Sequence, residues 1–189
     1  MIYHFNSRCI ISRVRIWLIV LGMVLWSSCI IAQKIIGIST QYDDRFDKWV
    51  IVTDNSDLEG TIEATWAALG DFTEWQYNIG DQSGIIRIRQ KTNSDVWELL
   101  GGGEIVEART IFPGERDRWQ MQNGKHRVDA KMYQRNPEQW LIQYKGEEIF
   151  FYTYREYDLR DWIVENNASF SIPMQLALTF IPILQVLSL

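Results

Sequence analysis

Tryptophan recurs along this chain at a nearly constant interval, and no other feature of the sequence limits its fold as strongly. The steps between Trp75, Trp97, Trp119, Trp140 and Trp162 are 22, 22, 21 and 22 residues. Trp49 begins the same pattern one longer unit earlier. A fixed period of this kind indicates one supersecondary unit repeated along the chain.

Each unit has the pattern of a β-hairpin. Trp opens a short alternating strand, a turn follows, and a second alternating strand returns. Turns are predicted at residues 80–84 and 101–103, and at Lys145-Gly146. The Asn123-Gly124 pair in the fourth unit is the strongest signal for a two-residue hairpin turn. The repeat is therefore a series of Trp-led hairpins.

The alternation within the strands separates two faces. Trp75, Tyr77 and Ile79 share one face of their strand, while Gln76 and Asn78 occupy the other. Strands with one apolar and one polar face form antiparallel sheets that are wet on one side. The sequence thus predicts an antiparallel meander with an apolar inner surface.

The number of strands constrains how the sheet ends. Five hairpins give ten strands, and residues 34–42 and 162–165 add two more, about twelve in all. A meander of this size closes or leaves edges that invite aggregation. A closed barrel of about twelve strands is too wide for its own side chains to fill, since eight already suffice for that. Another part of the chain must occupy the centre.

Residues 171–189 are suited to that place. Pro173 is tolerated in the first turn of a helix, and Ser171 before it is a candidate N-cap. The apolar run is interrupted only by the uncharged residues Gln175, Thr179 and Gln185. A helix that is apolar all round belongs inside a protein or a membrane. We predict a mainly β fold, a closed antiparallel barrel of about twelve strands around a buried C-terminal helix at 172–188.

The N-terminal segment predicts export. Residues 1–32 combine arginines without acids, an apolar run at 16–26 and small polar residues, the pattern of a secretory signal. Three alternatives stay open: cleavage after Ala32, lipidation of Cys29, or an uncleaved anchor that associates with the membrane. All three place a single barrel domain, residues 33–189, in the periplasm, in the cell envelope or outside the cell.

Several of these features together resemble a known family of barrels. They are the Trp-led hairpins, the turns at 80–84 and Lys145-Gly146, and Asp161-Trp162-Ile163-Val164 leading into residues 174–187. The chain from 34 to 189 resembles the tubby-like C-terminal fold of tubby domains, phospholipid scramblases and plant LURP-one-related proteins. That resemblance implies a barrel threaded by its C-terminal helix, and lipid head-group binding through surface Lys and Arg.

One cluster of charges is a candidate ligand site. Arg87, Arg89 and Lys91 share one face of a return strand and suit a lipid or another anionic head group, or a polysaccharide. A solvated barrel exterior also explains the row and is the favoured interpretation, because other return strands carry acids, Glu104, Glu107 and Asp129. The net charge of −5 argues against non-specific nucleic-acid binding.

Residues for catalysis or metal binding are sparse. His126 is the single histidine after the signal segment, and both cysteines, Cys9 and Cys29, lie within that segment. This set cannot make the usual zinc site, so no metal or cofactor is predicted. The glycines at 101–103 lead into a strand, not a helix, and predict a turn, not a phosphate loop.

The function expected from these observations is a non-enzymatic exported barrel, a binding or structural module at a bacterial-type cell envelope. One alternative is an envelope hydrolase that uses His126 or paired carboxylates. The candidate carboxylates are Glu147 and Glu148 with Glu104 or Glu107, although no motif fixes their separation. The other alternative is a membrane protein anchored by residues 171–189, which Pro182 and the absence of a following Lys or Arg argue against.

Overall fold

Twelve antiparallel strands close around one helix in a computed structural model that describes residues 33–165 and 168–187. The strands are β1 (Ile35–Tyr42), β2 (Arg45–Thr53), β3 (Gly60–Trp66), β4 (Asp71–Ile79), β5 (Gln82–Gln90), β6 (Asn93–Gly101), β7 (Glu104–Thr110), β8 (Arg118–Gln122), β9 (Arg127–Tyr133), β10 (Asn136–Tyr144), β11 (Glu147–Arg155) and β12 (Asp158–Glu165). A short 3-10 helix, Ala67–Leu69, joins β3 to β4, and helix α1 is Ile172–Val186. The predicted barrel with a central helix is confirmed.

Each strand pairs with its neighbours in the chain, and β1 pairs with β12 to close the ring. The closing pairs are Gly37 with Ile163, Ile38 with Trp162 and Ser39 with Asp161. Closure removes the sheet edges that would otherwise be open to another chain. The predicted signal segment, residues 1–32 with Cys29 and Ala32, lies outside the described residues.

The six repeated tryptophans form one ring inside the barrel, one on each even-numbered strand. All are at most 3% exposed. Each indole Nε1 donates to the carbonyl oxygen three residues earlier, at 2.8–3.1 Å; these acceptors are Phe46, Phe72, Ser94, Arg116, Pro137 and Leu159. A buried indole N–H needs a partner, and here its own hairpin supplies it. The prediction that Trp opens its strand is wrong: Trp49, for example, is the fifth residue of β2.

Helix α1 fills the space inside the ring. Residues 172–185 are buried on every side. The ring of Phe180 meets Trp49 and Trp75 edge-on, with centroids 5.9 and 5.2 Å away. Residues 172–185, within the segment that the tail-anchor alternative placed in a bilayer, are thus enclosed by strands. Among the described residues, no helix has the length and apolar content that crossing a bilayer requires.

Two of the polar residues of the helix, Gln175 and Thr179, bond to neighbouring backbone. Gln175 Oε1 accepts from the Ile35 N–H at 2.7 Å. Its Nε2 donates to the carbonyl oxygens of Gln33 at 2.7 Å and Phe170 at 2.9 Å. The Thr179 hydroxyl donates to the Gln175 carbonyl oxygen at 2.8 Å. Gln175 therefore ties the first turn of the helix to the start of β1.

Local details differ from the sequence predictions at two chain reversals. The loop between β8 and β9 has four residues, and Asn123 Oδ1 accepts from the N–H groups of Lys125 and His126 at 3.0 and 2.7 Å. This side-chain bonding replaces the predicted two-residue turn. Between β4 and β5 the turn contains only residues 80–81, and Gly84 lies inside β5.

The predicted N-cap at the start of α1 also differs. Ser171 precedes the helix as expected, but its side chain makes no capping bond and its hydroxyl donates to the Glu104 carboxylate. At the other end the helix stops at Val186, two residues before the predicted end, and residue 188 lies outside the described residues.

Candidate functional site

Among the described residues, the interior of the barrel is closely packed around α1. The gap between α1 and the last three strands, beside Gln175 and Thr179, measures about 10 Å³. This is close to the smallest volume that holds one water molecule. This gap is therefore too small for a ligand larger than water.

Two residues of the predicted basic row, Arg87 and Arg89, lie on the outer face of β5, and Lys91 follows in the turn to β6. Each of its three cations is paired with a carboxylate of a neighbouring strand. The pairs are Arg87 with Glu98 at 3.2 Å, Arg89 with Glu98 at 3.5 Å and Glu107 at 2.8 Å, and Lys91 with Asp71 at 3.5 Å. Exposed pairs of this kind contribute about 0–1 kcal/mol each. These carboxylates offset the charge of the row and would compete with an anionic ligand for the three cations.

A second set of side-chain hydrogen bonds lies on the outer face of β7, β8 and β9. Arg109 Nη2 donates to Gln120 Oε1 at 3.0 Å, and Gln120 Nε2 donates to Asp129 Oδ1 at 3.0 Å. Gln122 Nε2 lies 3.5 Å from Glu107 Oε1. The outer face from β4 to β9 therefore satisfies much of its own charge and hydrogen bonding.

His126 is part of an aromatic cluster. Its Nδ1 lies 2.6 Å from the Tyr144 hydroxyl oxygen, and its ring packs edge-on against Phe170 with centroids 5.9 Å apart. Tyr144 also contacts Phe170, at 4.9 Å. The cluster braces the segment that leads into the helix, as expected for a packed histidine. Within the described ranges, no three His, Cys, Asp or Glu side chains are arranged to hold a metal ion.

The carboxylates considered for a hydrolase take part in separate hydrogen bonds. Glu104 accepts from the Ser171 hydroxyl and, at 3.1 Å, from Asn123 Nδ2. Glu148 accepts from Gln143 Nε2 at 3.1 Å. Glu107 is a partner of the basic row, and Glu147 is exposed at the start of β11. Glu104, Glu107 and Glu148 therefore act as hydrogen-bond or ion-pair partners of neighbouring side chains on the barrel surface.

Tyr77 carries a buried hydroxyl that sequence reasoning did not single out. Its ring covers Gly84 and Gly101, which pair with each other across β5 and β6. A methyl group at Gly101 would overlap the Tyr77 hydroxyl oxygen, so this aromatic residue requires glycine beside it. The hydroxyl has no hydrogen-bond partner among the described atoms. Burial, with a smaller effect from Glu104, raises the pKa of Tyr77 to about 12.

A depression crosses the outer face of the first four strands; we call it the β3–β4 trough. One part, of about 270 Å³, is lined by Thr61, Glu63, Ala64, Thr65, Gln76 and Asn78. The other part, of about 340 Å³, is lined by Gln41, Val50, Glu59, Gly60, Thr61, Asn78 and Gly80. The two parts meet at Thr61 and Asn78. Alternation had placed Gln76 and Asn78 on the polar face, but it gave no sign of a concavity there.

Comparison with known proteins adds no relative. No protein-family model, curated protein or solved structure matches the chain. The resemblance to tubby-like barrels therefore stays a prediction, and so does the lipid binding that it implies. What the geometry shows is a closed barrel with a filled centre and a largely polar exterior.

Proposed function

We propose that this chain is a non-enzymatic exported barrel that serves as a binding or structural module at the cell envelope. The observation that carries the proposal is the filled centre. Enzymes and small-molecule carriers commonly place their sites in a cavity or in the mouth of a barrel, where substrate is desolvated. Here α1 occupies the middle of the barrel, with residues 172–185 buried, which supports recognition at the outer surface or at one end of the barrel.

The surface chemistry supports binding over catalysis. Glu104, Glu107 and Glu148 each accept a hydrogen bond from a neighbouring side chain, and His126 packs among aromatic rings. A general acid or base needs instead a free position within reach of a substrate proton. The hydrogen bonds of these three carboxylates and the packing of His126 therefore support the proposal.

Export is supported by the pattern of residues 1–32. To test it, the full-length chain is expressed in a Gram-negative host, the cell is fractionated, and the mature N-terminus is identified by mass spectrometry. An N-terminus at Gln33 indicates ordinary cleavage, whereas an acylated Cys29 that Cys29→Ala abolishes indicates a lipoprotein. A chain found intact in the cytoplasm would refute the export part of the proposal.

An anionic lipid head group is the ligand that the family resemblance implies, and the basic row is where it would bind. The test is binding of the purified chain to vesicles with and without anionic lipid, using Arg89→Ala as the variant. Arg118→Ala is the matched control, because Arg118 has no side-chain ion pair with the described residues. Equal binding by both variants would remove the basic row as the lipid site.

A further inference from the structure

We propose that a cleft at one end of the barrel, between the β1–β2 loop and the β3–β4 connection, binds an organic cation with an aromatic or other apolar body. This inference rests on the proposed function as a binding module, and it names a site and a ligand class for that module. The apolar lining is Phe46, Phe72, Ala67 and Ala68, and the charged lining is Asp44, Arg45 and Asp47. We call this site the Phe46–Phe72 cleft.

The cleft has the size of a small-molecule site. Its volume is about 380 Å³, and small-molecule sites commonly measure about 300–1,000 Å³. Because β3 lies between β2 and β4 in the sheet, the connection that follows β3 runs between Phe46 and Phe72. Ala67 and Ala68 contribute only methyl groups there, so the protein leaves the space between the two aromatic rings open.

The two phenylalanines are held in place by the ring of buried tryptophans. Phe46 packs on Trp49 with ring centroids 6.0 Å apart, and Phe72 packs on Trp75 at 5.9 Å. The carbonyl oxygens of Phe46 and Phe72 also accept the indole hydrogen bonds of these tryptophans. Side chains that are held before the ligand arrives lower the entropic cost of binding.

The apolar sides of the cleft are not a general property of the repeat. The residues three positions before the six ring tryptophans are Phe46, Phe72, Ser94, Arg116, Pro137 and Leu159. An aromatic residue occupies this position in the first two units alone, and both of these residues line the cleft. The repeat therefore departs from its other units at the place where the cleft forms.

Ion pairs leave one carboxylate of the cleft without a cation. Arg45 donates to both carboxylate oxygens of Asp47, from Nε at 3.0 Å and from Nη2. Its guanidinium carbon also lies over the ring of Tyr42, 5.3 Å from the centroid. Asp44 has no ion pair with a described residue, and the lining as a whole has a net charge of −1.

This combination favours a cation with an apolar body over other small ligands. A cation within about 6 Å of an aromatic ring is attracted to its face, and Asp44 can pair with an ammonium group. An anionic ligand would meet Asp44 while Arg45 is held by Asp47. A neutral apolar ligand would contact Phe46 and Phe72 but would leave the carboxylate unused.

Three indole compounds of similar size test the charge preference. They are tryptamine, which is a cation at neutral pH, tryptophol, its neutral hydroxyl analogue, and indoleacetate, an anion. Each is titrated into the purified full-length chain, and binding is followed by the amide chemical shifts in NMR spectra. The largest shifts should fall at residues 44–47 and 67–72. The Kd of tryptophol should be about two- to fivefold above that of tryptamine, the effect of an exposed ion pair, and that of indoleacetate should be higher still.

Ala68→Leu fills the cleft at an exposed position and leaves the core unchanged. We expect it to raise the Kd of tryptamine at least about tenfold, because the apolar contacts of the ligand are lost. The matched control is Thr92→Leu, in the exposed β5–β6 turn at the same end of the barrel and outside the cleft lining. The control should change Kd less than about twofold.

Asp44→Asn tests the carboxylate separately. In this variant the Kd values of tryptamine and tryptophol should agree within about twofold, since the ion pair is gone. Asp81→Asn, in the exposed β4–β5 turn at the other end of the barrel, should keep the difference between the two compounds. Urea midpoints close to that of the unsubstituted chain confirm that all four variants fold.

Three results would overturn the inference: equal or weaker binding of tryptamine compared with tryptophol, chemical shifts confined to residues outside the cleft, or a tryptamine Kd that Ala68→Leu leaves unchanged. Failure of the proposed function gives a different result. If tryptamine does not bind while anionic vesicles bind through Arg89, the cleft is overturned and the binding module stands. Chemical conversion of tryptamine bound in the cleft would support the cleft and overturn the non-enzymatic function.

Discussion

Replacing Gln175 with leucine should destabilise the barrel far more than the same change at a second buried glutamine of the same helix. Gln175 accepts from the Ile35 N–H and donates to the carbonyl oxygens of Phe170 and Gln33. Ile35 and Phe170 are buried at 0% and 3% exposure, so water cannot easily replace the lost partner there. Gln33 is partly exposed, and its carbonyl oxygen can bind water instead.

The magnitude follows from the two groups left without partners. A buried donor or acceptor without a partner costs about 1–3 kcal/mol, so the two together cost about 2–6 kcal/mol. Burial of the leucine side chain offsets part of that loss. We expect the free energy of unfolding to fall by about 3 kcal/mol, a large share of the stability of a typical domain.

The assay is urea denaturation followed by tryptophan fluorescence, with Gln185→Leu as the control. Gln185 is 8% exposed, and its side chain makes no hydrogen bond with the described residues. That variant should keep its stability within about 1 kcal/mol, with an unchanged slope against urea. If both variants lose the same amount, or if Gln175→Leu loses less than about 1 kcal/mol, Gln175 does not fix the helix in the barrel.

Three further predictions concern the core. Trp119→Phe removes the bond to the Arg116 carbonyl oxygen and part of the core volume, and should cost about 1–3 kcal/mol in urea denaturation. Trp66→Phe, at an exposed position, should change the free energy of unfolding by less than about 0.5 kcal/mol. Equal losses in the two variants would contradict a stabilising role for the ring of six buried tryptophans. Gly101→Ala should lower the free energy of unfolding by about 1–3 kcal/mol, because the added methyl group overlaps the Tyr77 hydroxyl. Adding Tyr77→Phe should recover part of this stability. If it recovers none, overlap with the hydroxyl is not the cause of the loss. The folded pKa of Tyr77, about 12, lies above its ordinary value of 10.0, so its contribution to stability is complete below pH 10 and lost as the pH rises to 12. Tyr77→Phe should therefore flatten the loss of stability between pH 10 and 12, and identical curves for the two proteins would refute this assignment.

The fold could be predicted because its signals are local and repeated. Alternation in a single strand is enough to place Trp75, Tyr77 and Ile79 on one face, and all three are buried as expected. The uniform apolar surface of α1 likewise needs no partner to be recognised. The strand count then forces closure and a filled centre, because a wide barrel cannot pack its own interior.

Details that depend on distant residues could not be predicted. Gly84 looks like a turn residue until β4 places Tyr77 against it. Ser171 looks like an N-cap until the barrel brings Glu104 to its hydroxyl. The basic row of β5 looks free until the register of β6 and β7 sets Glu98 and Glu107 beside Arg89.

The same dependence on neighbours explains why the trough was invisible in the sequence. Gln76 and Asn78 stand one and three residues after Trp75, and Gln120 and Gln122 stand one and three residues after Trp119. The repeat thus places two amide pairs at equivalent outward positions.

The neighbouring strands make these equivalent pairs different. Beside the second pair, β7 and β9 supply Glu107 and Asp129, which bind both amides. Across from the first pair, β3 places Glu63 and Thr61. Glu63 pairs with Lys48, and no side chain that the structure describes bonds Gln76 or Asn78. In a barrel whose six even-numbered strands share one core pattern, the outer face therefore differs from strand to strand according to the hydrogen-bond partners that the neighbouring strands supply.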